Sequence, residues 1–210
     1  DHFGIARALV YGNLIREGAS REDTNRVVIE AARKNQRFIP AFKAEPSTYS
    51  SDPGINARID EMRRFGARAL VLKAPGTPHL RGYWKWYIGG LLEACVAKRI
   101  PVLFHVEDTD PAVVHAICSD FPGLRLILTG VHYGQDEVIY PLLRIHPELR
   151  VSLAHFYIPD EGLRVFLKNF APDRIIFGSG MPLFTPGGLI GHVMYSTVGD
   201  DIKSMILGGT

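Results

Sequence analysis

Pro172-Asp173-Arg174-Ile175-Ile176-Phe177-Gly178-Ser179-Gly180-Met181-Pro182 is the stretch whose reading decides the fold. Before it, Leu163, Phe166, Leu167 and Phe170 recur at helical spacing, and Pro172 ends that pattern. A short apolar run, Arg174 to Gly180, then finishes in a Gly-Ser-Gly turn. This is one helix-to-strand step, and it recurs along the chain. Six further apolar runs read as strands: Ala6 to Asn13, Arg37 to Ala44, Ala67 to Ala74, Pro101 to Glu107, Arg125 to Val131 and Arg150 to Phe156. Runs apolar at nearly every position predict strands covered on both faces, as a parallel sheet wrapped by helices requires.

The segments between the runs carry helix punctuation. Ser20 to Asp23 has the form of a capping box, followed by Val27, Val28, Ala31 and Ala32 on one stripe. Ile55, Ile59, Met62 and Phe65 keep helical spacing and stop at Gly66. Asp110 before Pro111 predicts a cap with proline at the first helical position, leading into Val113, Val114, Ile117 and Phe121. Seven strand-helix units predict a (β/α)8 TIM-type barrel in which one unit lies outside the chain. An open doubly wound sheet is the alternative, but no strand is followed by a G-x-G-x-x-G phosphate loop. The whole of residues 1–210 reads as a single domain.

Composition narrows the function. With 46% hydrophobic residues in a chain of 210, a full core can be buried. The net charge of +2, from 24 basic and 22 acidic residues interspersed along the chain, offers no basic patch for nucleic acid. No apolar run approaches the roughly 20 residues that cross a bilayer, so neither nucleic acid nor membrane is an expected partner and a cytoplasmic location is expected. Cys95 and Cys118 stand in apolar helical patterns without metal-ligand spacing, as small core residues do.

In a barrel of this kind the reactive groups sit at the carboxyl ends of the strands. Those ends are polar here: Tyr11 and Asn13, Lys43 and Glu45, Lys73, His105 with Glu107 and Asp108, His132 with Tyr133, His155 with Tyr157, and Ser179. Lys73 offers a charge that would hold an anionic substrate, and a histidine exchanges protons near neutral pH. Lys43, Tyr157, Ser179 and Tyr11 complete the expected substrate lining. His105, His132 and His155 come from three neighbouring strands, and zinc accepts three protein ligands plus water. The aromatics Tyr83, Trp84, Trp86 and Tyr87 open a helix and are expected to pack it on the barrel rather than line a pocket. His79, His115, His146 and His192 are expected on loops or helix surfaces.

The phrase from Asp173 to Pro182 resembles the last strand of the amidohydrolase-related TIM barrels, hydrolases and decarboxylases whose pattern there is D-R-I-L-F-G-S-D-x-P. The resemblance continues in Pro101-Val102-Leu103-Phe104-His105, similar to the family's P-V-x-x-H, in Leu126 to Gly134, similar to I-I-L-x-H-x-G-G, and in Asp1 to Ala8, similar to M-D-x-x-G-I-x-R-A. It implies that His105 is a metal ligand or substrate-binding imidazole. It also implies that Gly180 stands where the family's catalytic aspartate would be and Gly130 where its second histidine would be. His132, two residues on, reads either as a solvated loop histidine or as one that reaches inward over the small Gly130, since a shift of two keeps the face of a strand. The family's first strand, with its H-x-H pair, would precede Asp1. Such enzymes act on small organic acids, esters and lactones, most of them with zinc or a similar metal.

Three readings follow. The first is a hydrolase or lactonase working without metal through His105, Lys73 and His155. The second is a zinc hydrolase or decarboxylase with rearranged histidine ligands. The third is a silent barrel kept as a binding or structural subunit, whose partner would be a second copy of the chain. Between the first two, the cofactor expected is none or zinc.

Overall fold

A computed structural model describes residues 2–12, 21–44, 54–72, 84–106, 109–132, 134–153 and 162–209. Seven strands form one parallel sheet in chain order: β1 (Ala8–Val10), β2 (Phe38–Ala44), β3 (Ala69–Leu72), β4 (Val102–His105), β5 (Leu126–Thr129), β6 (Arg150–Leu153) and β7 (Ile175–Phe177). Each pairs in parallel with the next, and the order never reverses as it would in a doubly wound sheet. The helices between them are α1 (Arg21–Lys34), α2 (Ile55–Arg64), α3 (Trp84–Ala97), α4 (Pro111–Asp120), α5 (Asp136–Ile145) and α6 (Leu163–Asn169). After β7 come α7 (Gly187–Met194), α8 (Asp200–Ser204) and a wide helical turn over Met205–Gly209. The described strands are shorter than the apolar runs predict; the run from Arg125 to Val131, for example, passes Thr129 into Gly130, whose φ of 69° ends the strand.

The two faces of the sheet differ in kind. Outward-facing Leu70, Leu72, Phe104, Leu128, Val151 and Ile175 join helix residues such as Ile59, Leu92, Ile117 and Phe166 in one large buried core. On the inner face Ala41, Ala69 and Leu103 form a separate small cluster with Val71 and Ile127. Helices packed on one side and a second, smaller apolar cluster on the other make this a curled barrel wall.

Sequence patterns locate the helices well and some of their faces less well. The Asp110 cap forms as predicted, its Oδ1 accepting from the Ala112 N–H at 2.7 Å. On α1, however, Val28 is buried while Val27 is 48% exposed, so the apolar stripe is narrower than the sequence predicts. Phe65 is likewise turned out at the C-terminus of α2, where Gly66 takes a left-handed conformation with φ 83°. On α3, Tyr87 packs on the core as expected, but Trp86 is 70% exposed. Ser20, Tyr83 and the side chain of Trp84 lie outside what is described.

Two interactions tie the amino ends of the strands together. The Arg174 guanidinium donates to three carbonyls, Leu149 at 2.8 Å, Leu143 at 2.8 Å and His146 at 2.7 Å, and so satisfies the C-terminus of α5. Beside it Arg150 pairs with Asp173 at 2.9 Å. The second is a histidine pair that the sequence did not announce. His146, only 8% exposed, meets His115 of α4 with Nε2···Nδ1 at 2.9 Å. Ring centroids 5.0 Å apart mean the two nitrogens meet nearly head-on, sharing one proton. His146 is therefore a packed residue and not the surface histidine the sequence suggests, and on α7 the His192 Nε2 is also buried. Burial first, and then the neighbouring His115, hold His146 below its ordinary 6.5.

Replacing Arg174 with Met should leave three carbonyls short of a donor. We expect a loss of about 2–3 kcal/mol, read as a lower urea midpoint at unchanged slope, and no rescue by Lys, which lacks the planar fork. Because His146 has a lowered pKa in the folded state, its contribution to stability is complete above about pH 6.5 and fades as the pH falls through its depressed midpoint. An NMR titration of the His146 ring should show that midpoint. In His115→Gln it should rise part of the way only, since burial, the larger cause, persists.

Candidate functional site

The pairing register fixes which side chains look into the barrel. Lys43 stands beside Val71, Val71 beside Leu103, and His105 beside Thr129. Leu103 belongs to the inner cluster, so His105, two residues on, has the same face. By the same alternation Lys43 follows Ala41, Thr129 follows Ile127, and Tyr11 follows Leu9, which pairs with Ile39. On β6 the inward residue is Ser152, paired with Ile176 of β7. The upper layer of the wall is thus Tyr11, Lys43, His105, Thr129 and Ser152, with Gly178 after β7.

Each has a local reason for its place. Asn25 on α1 grips the Lys43 backbone from both sides, accepting from its N–H at 2.8 Å and donating to its carbonyl at 3.1 Å. Tyr11 is 39% exposed, yet burial of the rest of the side chain raises its phenol above the ordinary value. Ser152 is buried, its hydroxyl within 3.5 Å of the Leu153 carbonyl and lying where a side chain on Gly178 would be, 2.3 Å from that missing Cβ. Half-buried His105 lies across Gly130, whose missing Cβ would be 2.3 Å from both Cε1 and Nε2. Gly130 has φ 69°, which ends β5 and breaks the alternation of faces.

That break decides the fate of His132. Val131 turns into the outer core, fully buried, and His132 comes out exposed, its backbone N–H bonded to Gln135 Oε1 at 2.8 Å. The room over Gly130 is filled by His105 instead. Ser179 spends its hydroxyl on its own turn, accepting from the Met181 N–H at 3.3 Å. Gly180, with φ 67°, is exposed and contributes no donor group. Lys73, His155 and Tyr157, with Asn13, Glu45, Glu107, Asp108 and Tyr133, lie outside the described residues. Among the described residues no group of three or more His, Cys, Asp or Glu side chains could hold a metal ion, so this part of the rim does not by itself fit one. Burial pushes the Cys95 and Cys118 thiols up to about 12, far from a nucleophilic thiolate.

Sequence reasoning missed Thr129, Ser152 and Asn25. The first two were findable, since each is the polar member of an otherwise apolar run. The two described cavities lie elsewhere. One of about 120 Å³, between α4 and α5, is lined by Val106, Val114, Leu128 and Ile139. The other, of about 320 Å³, opens at the amino ends beside His146 and Cys118. Both are outside the wall, and neither includes an inward-facing residue.

Comparison with known proteins agrees with this architecture. The chain is similar in structure to an uncharacterized TIM-barrel protein from Bordetella bronchiseptica, with a TM-score of 0.75 at 18% identity over 98% of this chain and 76% of the other. It is also similar to a dihydroxybenzoic acid decarboxylase from Polaromonas sp. JS666 with bound manganese, TM-score 0.68 at 12% identity, covering 90% and 72%. A third is an amidohydrolase from Burkholderia multivorans with bound zinc, TM-score 0.68 at 17% identity, covering 91% and 78%. No curated protein sequence matches. Among the described residues no helix is long and apolar enough to cross a membrane. The amidohydrolase family model matches residues 6–210, and with the register and rim described above the chain belongs to the amidohydrolase family of TIM barrels.

Proposed function

We propose that the chain is a hydrolase acting on a small organic ester, lactone or acid at the carboxyl rim of the barrel, with His105 as its proton-transfer group. The observation that carries the reading is the seat of His105: a half-buried imidazole, facing inward at a strand end, laid against a glycine. In hydrolysis His105 takes a proton from the attacking water as the new C–O bond forms. It returns that proton to the leaving oxygen as the acyl C–O bond breaks. Lys43, on the same face, supplies a positive charge for a substrate carboxylate, and Thr129 supplies a hydroxyl donor for a carbonyl oxygen. Lys73 and His155 join this rim in the reading made from sequence.

A second reading is decarboxylation, supported by the likeness in fold to the Polaromonas enzyme. The C–C bond to the carboxylate then breaks, carbon dioxide leaves, and His105 delivers a proton to the carbon left behind. The metals in the Polaromonas and Burkholderia structures belong to those proteins.

Wild type and His105→Ala should be compared on a panel of esters, lactones and aromatic carboxylic acids, each without metal and with zinc or manganese. The reading expects turnover that His105→Ala lowers by about 10²–10⁴-fold, the contribution of a positioned proton carrier. Release of carbon dioxide in place of a carboxylic acid product selects the second reading. Equal rates in the two proteins, or no turnover on the panel, would refute both. Lys43→Met should weaken binding of an anionic substrate by about 1.5–3 kcal/mol, as loss of a charge-assisted hydrogen bond does, with a smaller effect on an uncharged ester.

A further inference from the structure

We propose that Gly130 is a positioning residue for His105: its bare Cα and left-handed backbone form the surface on which the imidazole rests and which fixes the ring's direction. Three ring atoms define the contact. A Cβ on Gly130 would lie 2.3 Å from Cε1, 2.3 Å from Nε2 and 2.9 Å from Nδ1, so the ring covers the whole space a side chain would enter. These approaches are far inside van der Waals contact and involve a ring held at the end of a paired strand, so an added methyl group displaces the imidazole. The backbone imposes the same requirement independently, since φ 69° is a conformation in which L side chains are strained.

The consequence concerns how many imidazoles this part of the rim can hold. A histidine at position 130 and His105 in its present pose exclude each other, because both need the same volume. The rim is built at this point for one aimed imidazole and not for a pair of adjacent ligands on β4 and β5. An imidazole held by packing keeps its reacting nitrogen pointed at one place, which matters because a misplacement of about 1 Å costs on the order of a hundredfold in rate. The inference deepens the reading of His105 as the proton carrier and rests on it for its consequence in turnover, but the contact itself is tested without any substrate.

The experiment compares Gly130→Ala with Gly134→Ala. Gly134 also has a positive φ, 82°, but none of the described residues lies within 4 Å of its missing Cβ, so the control carries the backbone strain without the collision. The His105 Cε1–H resonance is followed by NMR at fixed pH, with thermal unfolding of both variants in wild-type and His105→Ala backgrounds. We expect Gly130→Ala to move the His105 resonance while Gly134→Ala leaves it in place. The extra loss of thermal stability in Gly130→Ala should disappear once His105 is Ala, because the ring it collides with is gone. If Gly130→Ala alone fails to fold, a folded Gly130→Ala/His105→Ala double variant supports the proposal and an unfolded one overturns it. An unmoved His105 resonance in Gly130→Ala, an equal displacement in Gly134→Ala, or an extra cost that persists without the ring also overturns it. On any substrate the wild type turns over, Gly130→Ala should lower kcat by roughly a hundredfold. Absence of turnover in the wild type counts against the proposed function, while the NMR and stability comparison still decides the role of Gly130.

Discussion

The parallel hydrogen-bond ladder is the constraint from which the rest follows. Strands buried on both faces must pair every backbone N–H and C=O with a neighbour, and here each strand meets that need with the next in the chain, from Ala8 against Phe38 to Leu153 against Phe177. A parallel ladder makes every strand stop in the same sense. The polar residues that end the apolar runs are thereby gathered on one rim, although they are scattered from Tyr11 to Ser152 in sequence. The amino ends face the opposite side and are closed by structural contacts, the Arg174 guanidinium on three carbonyls and the His115–His146 pair.

The faces of the wall divide labour by side-chain size. Outside, large residues such as Phe104 and Phe166 fill the space between strands and helices, and Tyr140, Phe166 and Phe170 pack ring to ring with centroids 5.0–5.9 Å apart. Inside, Ala41 and Ala69 pack with Leu103, Val71 and Ile127 in a smaller cluster, and two glycines receive a neighbouring side chain where their own would be. Gly178 takes the Ser152 hydroxyl and Gly130 takes the His105 ring. Polar groups at this rim are therefore aimed by the absence of side chains as much as by hydrogen bonds.

The fold was legible because its signals are local or periodic. The phrase around Ile175–Phe177, the Asp110 cap and the alternation of apolar runs with helical stripes each depend on neighbours within a few residues. The exposed Val27, Phe65 and Trp86 were misread because apolar character alone does not say which side of a helix meets the core. The site was legible only in part. His105 and Lys43 could be placed from their positions at strand ends, and Thr129 and Ser152 by counting two residues along the pleat. The left-handed turn at Gly130 that decides between the two readings of His132 could not, since no spacing marks it. Nor could the His115–His146 contact, which joins side chains 31 positions apart and has no sequence spacing that marks it.

The central claim is that the polar ends of neighbouring strands form one binding rim inside the wall. Titration of the protein with benzoate, followed by backbone amide shifts, tests it directly. The account predicts that the amides of Tyr11, Lys43, His105, Thr129 and Ser152 move together with a single dissociation constant. Shifts confined to the cavity between α4 and α5 or to the cavity beside His146, with the rim unmoved, would contradict it.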